Sequence, residues 1–386
     1  MKILYHHRIR SKDGQYVHIA EMIAALQALG HEIVMVAPAA TQKAEFGADA
    51  GMVAWMKRHL PRVVYELLEL SYAVLVFFRL RRALRQHRPD CLYERYNLFL
   101  PSGVWLKRRY GLPMLLEVNA PLFEERARYD GIALQRLARW TQHYTWHGAD
   151  YVLPVTRVLG DLVAATGVPA AQIRVIPNGI SPERFAAAPD TESAKQSLGL
   201  TGKLVLGFTG FLRDWHGLDQ VIELIAHDSA DTARHLLVVG DGPARTTLEA
   251  QARRLGIAER LTITGIIGRD DIARHVAAFD IALQPAVVAY ASPLKLFEYL
   301  VLGRAIVAPA QPNMLEVLRD GENAVLFDPE RPGALAEAIE RVSRDPMLRT
   351  RIAAGALASI TEQGLTWRRN AERVSQLFHG LLAKKA

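Results

Sequence analysis

The chain has 386 residues, half of them hydrophobic and 23% charged, which excludes a disordered chain or one small core and predicts two domains. Its one cysteine, Cys91, excludes a disulfide framework and a cysteine metal site. The formal charge of +7 is uneven, with 24 Lys/Arg against 16 Asp/Glu in residues 1–185 and 23 against 24 in residues 186–386; an anionic membrane, an acidic substrate and nucleic acid each fit the first half.

Met-Lys-Ile-Leu-Tyr-His-His at the start shows no secretory apolar run, so the expected compartment is cytoplasmic. Lys2 to His6 reads as a strand, Asp13-Gly14-Gln15 as a turn, Tyr16 to Leu29 as a helix ended by Gly30, and Ile33 to Ala37 as a second strand. This opening predicts a doubly wound sheet. Gly14 stands where such a loop brings backbone against a phosphate, although turn geometry alone accounts for one glycine. Residues 41–60 read as irregular. From Leu60 to Arg88 a wide apolar face, including Val64, Leu67, Val74, Leu75 and Phe78, is flanked by Arg79, Arg81, Arg82, Arg85 and Arg88. The uncharged run Leu70–Phe78 is too short to span a bilayer. Residues 57–88 therefore suit an anionic membrane interface or a helix packed on the first sheet.

Cys91-Leu92-Tyr93 reads as a strand, Pro101 to Arg109 as a helix, and Met114 to Asn119 as the next strand. Open α/β sheets place chemistry at strand carboxyl ends, which makes Glu117 and Asn119 site candidates; the plain alternative is a turn and a sheet-edge glutamate. Glu124 to Arg128 reads as a charged loop, Ile132 to His147 as helix, Tyr151 to Pro154 as strand and Thr156 to Thr166 as helix. Ile173 to Pro177 reads as a strand running into Pro177-Asn178-Gly179-Ile180, a fair domain boundary.

The second half restarts the cycle. After a strand from Leu204 to Phe208, the loop Thr209–Gly217 sets Arg213 and His216 between Gly210 and Gly217, which suits an anion held by backbone amides and a cation. Strands at Leu236–Val239, Leu261–Thr264 and Ile281–Leu283 end at Gly240-Asp241-Gly242-Pro243, Gly265-Ile266-Ile267 and Gln284-Pro285. In Ser292–Pro309, Ser292 is the expected N-cap and Pro293 the first helical residue. Leu294, Phe297, Leu300 and Val301 form the apolar stripe, Gly303 ends the helix, and Ala305 to Ala308 is a buried strand. Lys295 and Glu298 share the other side. The helix start and Lys295 suit a diphosphate, and Glu298 suits a vicinal diol one turn deeper, which is the shape of a nucleotide sugar. A surface Lys–Glu pair is the plain alternative. Helices follow at Gly333–Val342, Met347–Thr361 and Trp367–Leu382.

Ser-Pro-Leu-Lys-Leu-Phe-Glu-Tyr-Leu-Val-Leu-Gly-Arg-Ala-Ile-Val-Ala-Pro resembles the donor-binding helix of family 4 glycosyltransferases. The resemblance implies an α/β chain of the GT-B fold, two Rossmann-like doubly wound domains facing a central cleft. It implies an acceptor-binding domain over residues 1–180, a nucleotide-sugar-binding domain over 181–365, and a C-terminal helix, 366–386, crossing back onto the first. Glu298 matches the second of two glutamates usual in that helix, the one that holds the donor ribose; Tyr290 stands in place of the first. The resemblance assigns the donor diphosphate to the loop with Gly210, Arg213 and His216, where His216 replaces the usual lysine. It assigns Gly14 to the glycine loop of the first domain and Gly240 to a turn facing the nucleotide. Gly265 and Ile267 fall where the family reads the base, Ser292 and Leu294 open the donor helix, and Asn119 takes the place of a histidine that touches the donor sugar.

Asn119, Glu117, Arg213 and Lys295 are thus the catalytic candidates. No HExxH-like or Asp-x-Asp signature occurs in these segments, so no metal or other cofactor is expected and the nucleotide sugar is a substrate. Neutralisation then falls to Arg213, His216, Lys295 and the helix dipole. The family retains anomeric configuration, with the leaving phosphate accepting the proton. The expectation is a retaining glycosyltransferase moving sugar from a nucleotide-diphosphate sugar to a saccharide or lipid-linked acceptor in cell-surface glycan synthesis. It would be cytoplasmic and peripheral on the inner face of the cell membrane. A sugar-nucleotide epimerase of the same fold is the alternative. Nucleic acid is not an expected partner, because no motif joins aromatic and basic residues for base stacking.

Overall fold

Short apolar runs separated by amphipathic helices build two parallel sheets. The computed structural model describes residues 1–9, 14–38, 55–56, 58–228 and 234–385. It divides into one unit of Met1–Pro177, Tyr290–Ser292 and Trp367–Ala386, and a second of Asn178–Ala289 and Pro293–Thr366.

The first unit contains β1 (Lys2–His6), β2 (Glu32–Val36), β3 (Cys91–Arg95), β4 (Met114–Val118) and β5 (Tyr151–Pro154). All pair in parallel, in the order β2-β1-β3-β4-β5. β3 and β4 are buried along their whole length, as central parallel strands covered on both faces must be. Winding changes direction between β1 and β3, and at such a switch the carboxyl ends of the strands leave a crevice. The helix Trp367–Ala383 packs along Gly14–Ala28 within this unit.

The second unit contains β6 (Leu204–Thr209), β7 (Arg234–Val239), β8 (Leu261–Ile263), β9 (Ile281–Leu283), β10 (Ala305–Pro309) and β11 (Val325–Phe327). Their parallel order is β11-β10-β9-β6-β7-β8, so the switch lies between β6 and β9. Leu206 and Phe208 enter one apolar cluster and Val205 the cluster on the opposite face, the period-two alternation of a strand.

Some local expectations change. Residues 124–128 are not a loop: Leu122–Tyr129 is a helix with Glu124 and Glu125 in its first turn, where acids favour the helix dipole. Ile173 to Pro177 is not a strand. Arg174 and Ile176 donate to β5, but Ile173 makes only an isolated bridge to Val152, and Pro177 has no N–H with which to continue. Gly14 opens the first helix rather than preceding it. Asp13 and residues 41–54 lie outside the described residues. β3 runs on through Glu94 and Arg95.

Candidate functional site

At the tip of β6 in the second unit, two glycine turns interlock. Gly210 N–H donates to the Val239 carbonyl at 2.9 Å, and Leu212 N–H to that of Asp241 at 2.9 Å. Gly210 and Gly240 adopt φ of 134° and 144°, which glycine tolerates and L-residues do not. A Cβ on Gly240 would sit 2.1 Å from the Gly210 carbonyl oxygen, and one on Gly242 would sit 2.3 Å from that of Leu212. Only glycines let the 209–217 loop and the 240–243 turn approach so closely. Thr209 N–H is held by the buried Tyr299 hydroxyl at 2.8 Å, which fixes the tip of β6 to a helix that follows β9.

That helix is Leu294–Val301, and its N-cap is Pro293, with no side-chain cap bond. This corrects Ser292, which belongs with the first unit. Leu294, expected in the core stripe, is half-buried, as is Val301; Leu296, Phe297, Tyr299 and Leu300 fill the core. The buried face is thus rotated toward Leu296 and Tyr299, because Tyr299 reaches Thr209. Lys295 is withdrawn beside the glycine turn: its ammonium lies 3.6 Å from the centre of the Phe208 ring, a cation–π contact. Burial pulls its pKa down to about 7, against the attraction of Glu298. Burial likewise pushes Glu298 up to about 7, against Lys295 and Arg269. Oε2 of Glu298 is buried with no hydrogen-bond partner. Gln284 Oε1, at the end of β9, is also buried and unpartnered. Such atoms are rare in folded chains and call for a partner, which water or a ligand can supply.

His216 corrects one expectation. It is buried, and its Nδ1 accepts the Arg213 N–H at 3.1 Å. Burial, reinforced by Lys295 and Arg213, lowers its pKa to about 3. It is therefore a neutral residue that orders the loop and contributes no charge. Arg213 is exposed, with its guanidinium over the Phe211 ring at 5.2 Å. Gly265 has φ 73° and Ile267 packs against the core behind it.

In the first unit the carboxyl ends of β1, β3 and β4 carry a buried polar hub. Glu117 accepts from Tyr93 Oη at 2.7 Å, Arg95 Nη1 at 2.5 Å and Asn119 Nδ2 at 2.5 Å. His18 Nε2 lies 2.9 Å from its other side. Burial would raise its pKa, but the charges of His18 and Arg95 and the bonds from His18 and Tyr93 hold it well below the usual carboxylate range. Glu117 is 2% exposed and its oxygens are taken. It is a positioning residue, not one that meets substrate. An ionised carboxylate only accepts hydrogen bonds, so the amide of Asn119 must turn its nitrogen inward. Its oxygen is left for a ligand. Beside the hub, His6 Nδ1 pairs with the buried Glu94 at 2.8 Å; elsewhere in the unit Tyr290 Oη bonds Glu125. Gly14 lies one turn before His18 on the first helix.

The sequence reading did not anticipate Phe208, Tyr299, His18, Tyr93, Arg95, His6 or Glu94. Among the described residues no three His, Cys, Asp or Glu side chains gather as a metal site, and no helix is long and apolar enough to cross a membrane.

Residues 13–179 match the family model described as "Glycosyl transferase 4-like domain", and residues 190–358 match "Glycosyl transferases group 1". A 2-deoxystreptamine glucosyltransferase of Streptomyces kanamyceticus is 30% identical over 48% of this chain and 49% of its own. An alpha-D-kanosaminyltransferase of the same organism is 23% identical over 65% and 66%. The chain thus spans about half to two thirds of the length of these two relatives. Among solved structures, Anabaena HepE in complex with UDP has a TM-score of 0.77 at 19% identity, covering 98% of this chain and 100% of that one. That likeness extends the two-sheet GT-B fold to the whole chain.

Proposed function

The chain belongs to the group 1 glycosyl transferases, and on that premise we propose that it moves a sugar from a nucleotide-diphosphate sugar to a saccharide or lipid-linked acceptor, with retention, in cell-surface glycan synthesis. One observation carries the reading: a buried, unpartnered oxygen of Glu298 one turn from the start of a helix whose Lys295, among the described residues, has no carboxylate partner within bonding distance. A ribose diol satisfies the first and a diphosphate the second. The glycine turns bring backbone amides close to the phosphates without side chains between. Lys295, Arg213 and the helix dipole neutralise charge on the leaving diphosphate, with His216 as a neutral donor through Nε2. No metal or other cofactor enters this reading. Asn119 accepts a hydrogen bond from a sugar hydroxyl, and the leaving phosphate takes the acceptor's proton.

The relatives named above are all transferases, which favours transfer over epimerisation. HepE is described in complex with UDP and also with UDP-glucose, which makes UDP the first base to try. The place of work is the cytoplasmic face of a membrane, reached through residues 57–88. The test is a thermal-shift screen of UDP-, GDP- and dTDP-sugars, followed by a transfer assay with the stabilising donor. One base should raise the melting temperature, since a ligand that binds only the folded state stabilises it. No stabilisation by any of them contradicts the proposal.

A further inference from the structure

The helix Arg62–His87 is 26 residues long, and its two faces have different fates. Tyr65, Glu66, Ala73, Val76 and Leu80 are buried. Val64, Leu67, Leu68, Val74, Leu75 and Phe78 remain 41–58% exposed. At 3.6 residues per turn these six, with Arg81, Arg82 and Arg85, fall within one arc of about 140°. The arc is apolar for roughly 20 Å, from Val64 to Phe78, and then basic.

The basic end forms a shallow hollow of about 420 Å³ lined by Phe78, Arg81, Arg82, Arg85 and Gln86. Among the described residues no carboxylate lines it. Among the described residues none of the three arginines has an ion-pair partner, and Nε of Arg81 is buried without a hydrogen-bond acceptor. The acids of the helix are committed elsewhere. Glu66 accepts the backbone N–H groups of Ala133 and Leu134 at 2.9 and 2.7 Å, and Glu69 pairs with Arg126 at 2.5 Å and Arg8 at 3.4 Å.

We infer that this arc docks on an anionic bilayer, with the apolar stripe among the acyl chains and the Arg81–Arg82–Arg85 hollow holding a lipid phosphate. The inference deepens the membrane part of the reading above by naming the face and the headgroup chemistry. Guanidiniums match phosphate oxygens in bidentate pairs, and an interfacial helix needs both an apolar face and headgroup cations. A second copy of the chain fits less well. Two such arcs face to face set unpaired guanidiniums against each other or against valine and leucine, with no acid on either side.

The test is flotation of the full chain with vesicles of phosphatidylcholine, with and without phosphatidylglycerol. The protein should float with the mixed vesicles and not with phosphatidylcholine alone, and added salt should release it. Arg81→Gln/Arg82→Gln/Arg85→Gln should weaken binding roughly 100-fold, the scale expected for three cations near an anionic surface. Leu75→Ser/Phe78→Ser should weaken it independently. All these positions line the outer arc, so unchanged melting temperatures will show that the variants fold. Equal binding to both vesicle types overturns the requirement for an anionic bilayer, and an unaffected arginine variant overturns the phosphate site. No flotation, or a wild-type dimer that Phe78→Ser dissociates, overturns the membrane assignment. Each result is independent of whether a nucleotide sugar binds.

Discussion

The ammonium of Lys295 stands 3.6 Å above the Phe208 ring, and it makes no ion pair with Glu298 one turn further along the same helix. Burial, the larger influence on each, drives both toward their neutral forms near pH 7. On the proposed reading, a diphosphate beside Lys295 supplies the missing counter-charge.

Lys295 should therefore take up a proton when donor binds above about pH 7. Calorimetric titration in buffers of different ionisation enthalpy will show net proton uptake on the alkaline side of neutrality, with affinity falling as pH rises. Lys295→Met should bind weakly and show no uptake.

Glu298 should weaken the empty protein. The folded state holds the Glu298 proton up to about pH 7 and the unfolded state only to about 4.5. Between those values the folded state binds more protons, so stability falls as pH rises. Glu298→Gln removes this slope. Urea denaturation should give equal stabilities at the acid end of the window and a growing advantage for the variant toward pH 7.

Asn119→Asp separates the two ends of the amide. A carboxyl placed against ionised Glu117 has its pKa raised by like-charge repulsion. While protonated it donates inward and still offers its carbonyl oxygen outward, as asparagine does. Transfer by the variant should survive at acid pH and fall as pH rises, a limb the wild type lacks. A variant dead at every pH would mean that the amide nitrogen meets the ligand. Asn119→Ala should lose roughly 10-fold, the scale of one net hydrogen bond.

Gly240→Ala forces a Cβ against the Gly210 carbonyl oxygen at a φ that disfavours alanine. Destabilisation of about 1–3 kcal/mol is expected by chemical denaturation, with loss of nucleotide-induced stabilisation. Gly256 also has a positive φ, 72°, but nothing within 4 Å of its Cβ position. Gly256→Ala should be strained yet keep the nucleotide response.

Most of the strands and the helix Leu294–Val301 were legible because their signals are local, whereas the three-residue β11 was missed. β5 and β9 are continuous apolar or aromatic runs, β1 has one between Lys2 and His6, and Ser292 to Pro309 carries its helix, stop and strand in one stretch. The hub around Glu117 was not legible: His18, Tyr93 and Arg95 reach it from the first helix and β3, and no spacing in the chain announces that meeting. Tyr299 shows the same limit, since its hydroxyl serves Thr209, 90 residues away. The charge of His216 misled because residue type does not reveal burial beside two cations. The helix from Arg62 to His87 was half legible. Its periodicity showed an apolar face too wide for one core, and only the packing divides buried Val76 and Leu80 from exposed Leu75 and Phe78.

The most direct measurement is calorimetric titration of the stabilising nucleotide into wild-type protein and Glu298→Ala at neutral pH. Losing the carboxyl that accepts from ribose hydroxyls should weaken binding about 10- to 100-fold, in a variant whose melting temperature without ligand is not lowered. Equal affinity in the two proteins would contradict the assignment of this helix to the donor.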